Sequence, residues 1–376
     1  VELWIKKAVL RHGAKVVVVN PRQIELARYE GAWLGYRPGS EAALLNGLAR
    51  AILEAKGQGQ TGAAVETRVT NLDEYRGWLR NYDPRRVEQL TGAPAGSLQK
   101  AARLLAQARR PIILYGTDWL QGANQASTAS KSSPAELALD AMENLATLLG
   151  GIELAFVARD TNTLGALTMG VVPGLYPGKQ SFTDRKIRSR LACMWSGRLS
   201  PVEGLGFEGM ARAGEEGDLQ ALWIIGADPV NSSRRAGAAL GRIPFLVVQD
   251  LFMTDTASMA EVVLPAASFA ETGGSLMNLT GRIQAMPGAV RPPGQARANW
   301  WIITQIAARM VGGKRKRAWE FSGPEEILAE IVKVLPGYRG LDLARIGETG
   351  WQRPRPEAAP KRYLTRVEPT PAPADP

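Results

Sequence analysis

The sequence predicts an α/β protein made of two doubly wound lobes with mainly parallel sheets. Short β-branched runs alternate with amphipathic stretches of helical length, and that alternation is the mark of parallel βαβ units. The chain has 376 residues, 45% of them hydrophobic, which is too long for one ordinary domain and rich enough for two cores. A Gly- and Pro-rich stretch at 170–178 interrupts the rhythm before it resumes. The lobes are therefore expected at 1–157 and 158–351, with a Pro- and charge-rich tail, extended or disordered, at 352–376.

A helix-like stretch opens the chain at 1–10, and the run of four valines from Val16 to Val19 reads as a buried parallel strand. A helical piece at 24–29 and an extended piece at 33–36 follow. Ser40 is placed to cap a long amphipathic helix over 41–55. Asp83-Pro84 supplies an N-cap followed by proline at the first helical position, and Gly92 stops that helix. A helix at 97–108, a strand at 112–115, a helix opened by Pro134 and a strand at 152–157 complete the first lobe. In the second lobe, strands are expected at 219–225, 245–248 and 262–264. Helices are expected at 233–240, 254–259, 300–311 and 325–335.

Composition excludes much of the usual chemistry. One cysteine, Cys193, and one histidine, His12, leave no disulfide, no Cys-ligated iron-sulfur cluster and no ordinary zinc site within the chain. His12 reads as a helix C-terminal residue favoured by the dipole, and Cys193, in Leu-Ala-Cys-Met-Trp, as a packing thiol. The net charge of +10 gathers at 179–190, 314–317 and 361–362 without interleaved aromatics, so the basic segments read as solvated loops or a protein-docking face rather than a nucleic-acid surface. No apolar run approaches the length of a membrane span. Gly178-Lys179 lacks the Ser/Thr of a phosphate loop, no Gly-x-Gly-x-x-Gly follows a strand, and Asn231-Ser-Ser233 and Asn278-Leu-Thr280 are chance glycosylation patterns.

Three expected strands run into polar residues: Asn20-Pro21-Arg22, Gly226-Ala227-Asp228-Pro229 and Gln249-Asp250. In a doubly wound sheet the carboxyl ends of strands open onto the ligand crevice. Asn20, Asp228, Gln249 and Asp250 suit hydrogen bonds to a base or ribose, and Arg22 suits a phosphate. The same Asn and Asp residues equally suit capping of the following helices.

These segments resemble the molybdopterin oxidoreductases related to formate dehydrogenases and nitrate reductases, over residues 1–351. The marks are Asn20-Pro-Arg-x-x-Glu25-x-Ala27, Arg37-Pro38-Gly39 with Ala43-Leu44-Leu45-x-Gly47, Gly226-x-Asp228-Pro229, and Gln249-Asp250-x-Phe252-x-Thr254-x-Thr256-Ala257. The most specific stretch runs from Ala260-Glu261-Val262 through Leu264-Pro265 to Glu271, then Gly273-x-x-x-x-Asn278-x-x-Gly281-Arg282-x-Gln284. The resemblance implies the two-lobed fold of that family around a bis-pterin guanine dinucleotide. It puts Asn20, Arg22, Asp228, Gln249 and Asp250 near the nucleotide ends, as a working or vestigial molybdopterin guanine dinucleotide site.

Three departures refine the expectation. Arg159-Asp160-Thr161-Asn162 stands where active members carry a Gly-Gln-Asn-Asn run, and Glu261 stands where Asp is usual; Ser40-Glu41 also differs from the family's turn. By resemblance these fit the C-terminal region of the large subunit of respiratory NADH:quinone oxidoreductase (complex I), where the domain is mainly scaffold. In that reading the metal ligand and iron-sulfur cysteines precede Val1, the chain is part of something longer, and the isolated piece is redox-silent. Its partners are the other peripheral-arm subunits, with no nucleic acid and no direct membrane insertion. Its location is cytoplasmic, on the cytoplasmic face of the inner membrane through the complex. The alternative is part of a formate-dehydrogenase-type catalytic subunit.

Overall fold

The computed structural model describes residues 1–29, 31–60, 69–117, 134–152, 154–195, 197–311, 318–347, 349–352 and 363–368. The chain forms two compact units, Val1–Arg159 together with Arg355–Pro376, and Asp160–Pro354. The polar stretch 127–133 and the basic run 314–317 lie outside the described residues.

In the first unit, helix α1 (Glu2–His12) ends at Gly13, whose φ of 66° provides the left-handed cap that a side chain would resist. Strand β1 (Val16–Val19) pairs in parallel with β2 (Gly31–Leu34), joined through a 3-10 turn at Glu25–Arg28 where a helix was expected. Helix α2 (Glu41–Gln60) is the centre of the unit, running further than the sequence suggested. Around it lie α3 (Leu72–Leu79), α4 (Pro84–Thr91) and α5 (Ala95–Gln107). Strand β3 (Ile113–Gly116) pairs in parallel with β4 (Leu154–Val157), and α6 (Pro134–Leu148) precedes β4. Leu34, Leu44, Leu48, Ile52, Tyr75 and Leu98 are sealed in the core.

Capping in this unit follows the sequence in one place and not in another. The Asp83 carboxylate accepts from Arg85 N and Arg86 N at 3.1 Å each, as its position predicts. Ser40 precedes α2, but its hydroxyl donates to the Arg37 carbonyl at 2.6 Å instead of accepting from the helix. Glu41 supplies the acceptor for this turn, taking the Gly39 N–H at 3.1 Å. Gly47, in the Ala-Leu-Leu-x-Gly motif, marks a close approach: a Cβ there would lie 2.5 Å from a methyl of Val87.

The closing segment is anchored in the first unit. Residues 363–368 run without regular structure, yet Leu364 and Val367 are buried in the first unit's core. Two asparagines hold the segment by paired amide bonds. Asn71 donates to the Leu364 carbonyl and accepts from its N–H, both at 2.9 Å, while Asn144 does the same with Thr365 at 2.8 and 3.1 Å. A third, Asn46, donates to the Val367 carbonyl at 2.9 Å. A side-chain amide presents donor and acceptor at the spacing of a neighbouring strand, so it can satisfy backbone that no ladder reaches.

The second unit opens with α7 (Thr163–Thr168), a short hairpin of β5 (Leu175–Tyr176) and β6 (Gln180–Ser181), α8 (Arg185–Met194) and α9 (Phe207–Glu216). Part of the basic stretch read as a loop is thus helical. Asp184 caps it, accepting from Lys186 N at 2.8 Å and Ile187 N at 3.2 Å. Cys193 is exposed rather than packed. Leu191 is the buried position of α8, and a residue two further on is turned about 200° away from it.

A parallel sheet follows, with β8 (Leu246–Asp250) between β7 (Leu222–Ile225) and β9 (Val262–Pro265). Short helices α10 (Pro229–Ser232) and α11 (Arg234–Leu240) connect β7 to β8, and a 3-10 turn at Ala257–Met259 leads to β9. Leu246 and Val248 face a cluster with Leu240 and Ile243. Beyond β9 the sequence reading missed an antiparallel ladder of β10 (Gly274–Met277), β11 (Arg282–Met286) and β12 (Trp351–Gln352). The Asn278-x-x-Gly281 motif is its hairpin turn: Asn278 Oδ1 accepts from Thr280 N, Thr280 Oγ1 and Arg282 N, and Gly281 has a φ of 76°. Helices α12 (Asn299–Val311) and α13 (Pro324–Val334) complete the unit. The sheets are small and mainly parallel, as expected of the fold class. Among the described residues no helix is long and apolar enough to cross a membrane.

Candidate cofactor-binding edge

The five residues predicted from strand ends divide between the units. Asn20 and Arg22 lie in the first, and Asp228, Gln249 and Asp250 in the second. Asn20 ends the β1–β2 pair: its N–H donates to the Leu34 carbonyl at 3.2 Å and its carbonyl accepts from Trp33 Nε1 at 3.0 Å. Its side-chain oxygen takes the Arg22 N–H at 2.9 Å, an Asx turn that reverses the chain at Pro21 and leaves Arg22 exposed.

In the second unit β7 and β8 end side by side. Ile225 pairs with Gln249, and Gly226 N continues the ladder to the Gln249 carbonyl at 2.9 Å. Gly226, with a φ of 61°, then turns the chain into Asp228. Asp228 does not cap the helix it precedes. Its Oδ1 instead accepts from the Thr256 hydroxyl at 2.5 Å and the Thr256 N–H at 3.2 Å. Two motifs 28 residues apart are thereby joined by hydrogen bonds.

The Thr256 hydroxyl bond is the largest cause and holds the Asp228 carboxyl below the usual carboxylate range; burial opposes it, and the Thr256 N–H adds a smaller effect in the same direction as the hydroxyl. A depressed folded value means that the stabilisation is present above the ordinary carboxylate pKa and is lost as pH falls through the lowered one. Asp228→Asn is therefore expected to flatten the pH dependence of unfolding in that acid window and leave it unchanged near neutrality. Denaturant midpoints measured across the two ranges check this.

Asp250 closes β8 with its own turn, Oδ1 accepting from Leu251 N at 2.6 Å and Phe252 N at 3.2 Å. Gln249 does not join the two acids. It is fully buried, on the face of β8 opposite Leu246 and Val248, and its amide donates to Asn299 Oδ1 at 2.7 Å. Strand alternation sends neighbouring side chains to opposite faces, so Gln249 and Asp250 point to opposite sides of the sheet. The Gln249 Oε1 is buried without a hydrogen-bond partner among the described residues.

The substituted positions also find their places. Glu261 lies at the amino end of β9, where its carboxylate accepts from Leu246 N at 2.5 Å and its own N–H donates to the Leu246 carbonyl at 3.0 Å. That is the end of the sheet opposite Asp228 and Asp250. Asn162, in the altered 159–162 run, adopts a φ of 70° and accepts from Met277 N at 2.8 Å, tying α7 to β10. Thr256 was missed because it reads as one of several hydroxyls in a turn. The available signal was the pairing of an Asp-Pro and a Thr-x-Thr-Ala motif after adjacent strands.

A molybdopterin oxidoreductase family profile matches residues 1–309. The chain belongs to the molybdopterin oxidoreductase family. It is 32% identical over 348 residues to formate dehydrogenase H of Escherichia coli (strain K12), covering 91% of this chain and 47% of that protein. It is 30% identical over 357 residues to the NADPH-Fe(3+) oxidoreductase subunit alpha of Geobacter sulfurreducens, covering 93% of this chain and 39% of that protein. With the F420-dependent formate dehydrogenase 1 subunit alpha of Methanococcus maripaludis it shares 30% over 354 residues, 91% of this chain and 49% of that protein. The chain thus spans about half or less of the length of these relatives. The acetylene hydratase of Pelobacter acetylenicus has the same fold, with a TM-score of 0.64 at 20% identity over 91% of this chain and 48% of that one.

Proposed function

We propose that this chain forms part of the cofactor-binding body of a formate-dehydrogenase-type molybdopterin oxidoreductase. The carrying observation is the pair of carboxylates at adjacent strand ends, Asp228 fixed by Thr256 and Asp250 fixed by its own turn. An ionised carboxylate is an acceptor only, so this edge suits a ligand rich in N–H and O–H donors, such as a guanine base with its ribose, and repels phosphate. In the first unit, taken by itself, the exposed guanidinium of Arg22 suits a phosphate. The acceptor pair of the second unit fits the guanosine end of a molybdopterin guanine dinucleotide, with Asp228 and Asp250 on nucleoside groups. When bound, this cofactor supplies a dithiolene-held metal that exchanges electron pairs with substrate.

Two of the three relatives named above are formate dehydrogenases, which supports this reading over a scaffold in complex I. The complex I reading drew on the changed 159–161 run and on Glu261. Glu261 sits at the far end of the sheet and holds strand register there, so its extra methylene says nothing about the pterin.

The test is chemical. The whole protein that contains this chain, purified without added cofactor, is expected to release a guanine nucleotide on acid extraction together with stoichiometric molybdenum or tungsten, and to reduce a dye with formate. A protein free of metal and guanine nucleotide overturns the proposal. Metal and nucleotide without formate activity retain the site and reject the substrate.

A further inference from the structure

We infer that Thr256 is a positioning residue for Asp228, fixing the direction in which that carboxylate meets its ligand. The inference rests on the function proposed above. Thr256 is fully buried, and its hydroxyl makes two hydrogen bonds of opposite sense. Val230 N–H donates to it at 3.2 Å, and the hydroxyl donates to Asp228 Oδ1 at 2.5 Å. A backbone N–H can only donate, so the hydroxyl proton has one place left to go, the carboxylate. The Thr256 N–H adds a second donor to the same oxygen at 3.2 Å. One residue thus ties the loop after β7 to the loop after β8 and fixes one carboxylate oxygen from two directions.

The support beneath Thr256 is itself rigid. Thr254 Oγ1 accepts from Ala257 N at 3.1 Å, and Ala257 is buried in the cluster around Val248. A β-branched side chain has little χ1 freedom, so burial of Thr256 sets the hydroxyl as well as the methyl. An unsupported aspartate at a loop apex would rotate among rotamers, and a ligand would have to select one of them.

Thr256→Val keeps the shape but removes the hydroxyl, leaving Val230 N–H unpartnered and Asp228 with one donor fewer. Thr256→Ser keeps the hydroxyl. In the whole protein, guanine nucleotide retained after extensive dilution is expected to fall about tenfold in Thr256→Val and to recover largely in Thr256→Ser, the loss corresponding to one charge-assisted hydrogen bond. In an Asp228→Ala background, Thr256→Val is expected to change retention no further, because the residue acts through Asp228. An equal drop in both backgrounds means a merely structural role and overturns the inference, as does wild-type retention in Thr256→Val.

A second measurement does not depend on nucleotide. With 13C-labelled aspartate carboxyls, Asp228 is expected to titrate at higher pH in Thr256→Val than in wild type, and near wild type in Thr256→Ser. An unmoved titration overturns the inference whatever the nucleotide content. A wild-type protein without nucleotide overturns the proposed function instead, leaving the tie between Thr256 and Asp228 to be judged by this titration.

Discussion

Leu364→Ala is expected to lower the stability of the first unit by about 3 kcal/mol, the usual cost of a cavity in a well-packed core. Its neighbour Arg366, paired with Glu74 with both side chains about half exposed, is expected to lose less than about 1 kcal/mol on replacement by Ala, because exposed ion pairs contribute little. The contrast separates packing from charge as the agent that holds residues 363–368 in place. Leu364 is sealed against the cluster that contains Leu48, Ile52 and Tyr75, and Asn71 fixes its backbone from both sides, so the truncated side chain cannot be replaced by a small shift of the segment. Urea unfolding of both variants decides the matter: equal losses would mean that the segment is held at its surface and not by its buried side chains.

Gly47→Leu is expected to cost about 3 kcal/mol, at the upper end of what overpacking does. Even a Cβ at this position meets Val87 at 2.5 Å, and Val87 is fully buried and cannot swing aside. The helix α2 itself would gain from losing a glycine, by about 1 kcal/mol, so a net loss must come from the contact with α4. Val87→Ala in the same chain is expected to return part of the loss, since it empties the space that the new side chain needs. If the double variant is no more stable than the sum of the two single losses predicts, the approach of α2 to α4 is not the reason for the glycine.

What the sequence disclosed was local. The valines of β1, the Asp83-Pro84 start and Gly92 stop of α4, and the strands β7 to β9 each carry their cue within a few residues, and the structure keeps them near their expected places. The ladder β10 to β12 was hidden because its strands are short and its third member comes some 65 residues after β11. Helix α8 was hidden by its charge, since one buried position, Leu191, leaves little apolar rhythm to read. At the site, strand ends pointed to Asp228 and Asp250. They did not separate Gln249 from Asp250, because pleat parity sends two adjacent residues to opposite faces and the strand runs two residues further than expected. Thr256 left a signal only in the pairing of two motifs, whereas the clamping asparagines act on partners 221 to 321 positions along the chain, and such pairings leave no mark in a single sequence.

The asparagine clamps also bear on how the protein is made. Asn46 and Val367 are 321 positions apart, and Asn71 and Leu364 are 293 apart, while all of the second unit is encoded between them. A ribosome working from the amino end therefore delivers most of the first unit early and its closing segment last. Until residue 367 has cleared the exit tunnel, three asparagine amides and the recess for Leu364 and Val367 stand open to water and to other chains. Of these two units, the one begun earlier is thus the one finished later, and it stays open to chaperones while the second unit is translated.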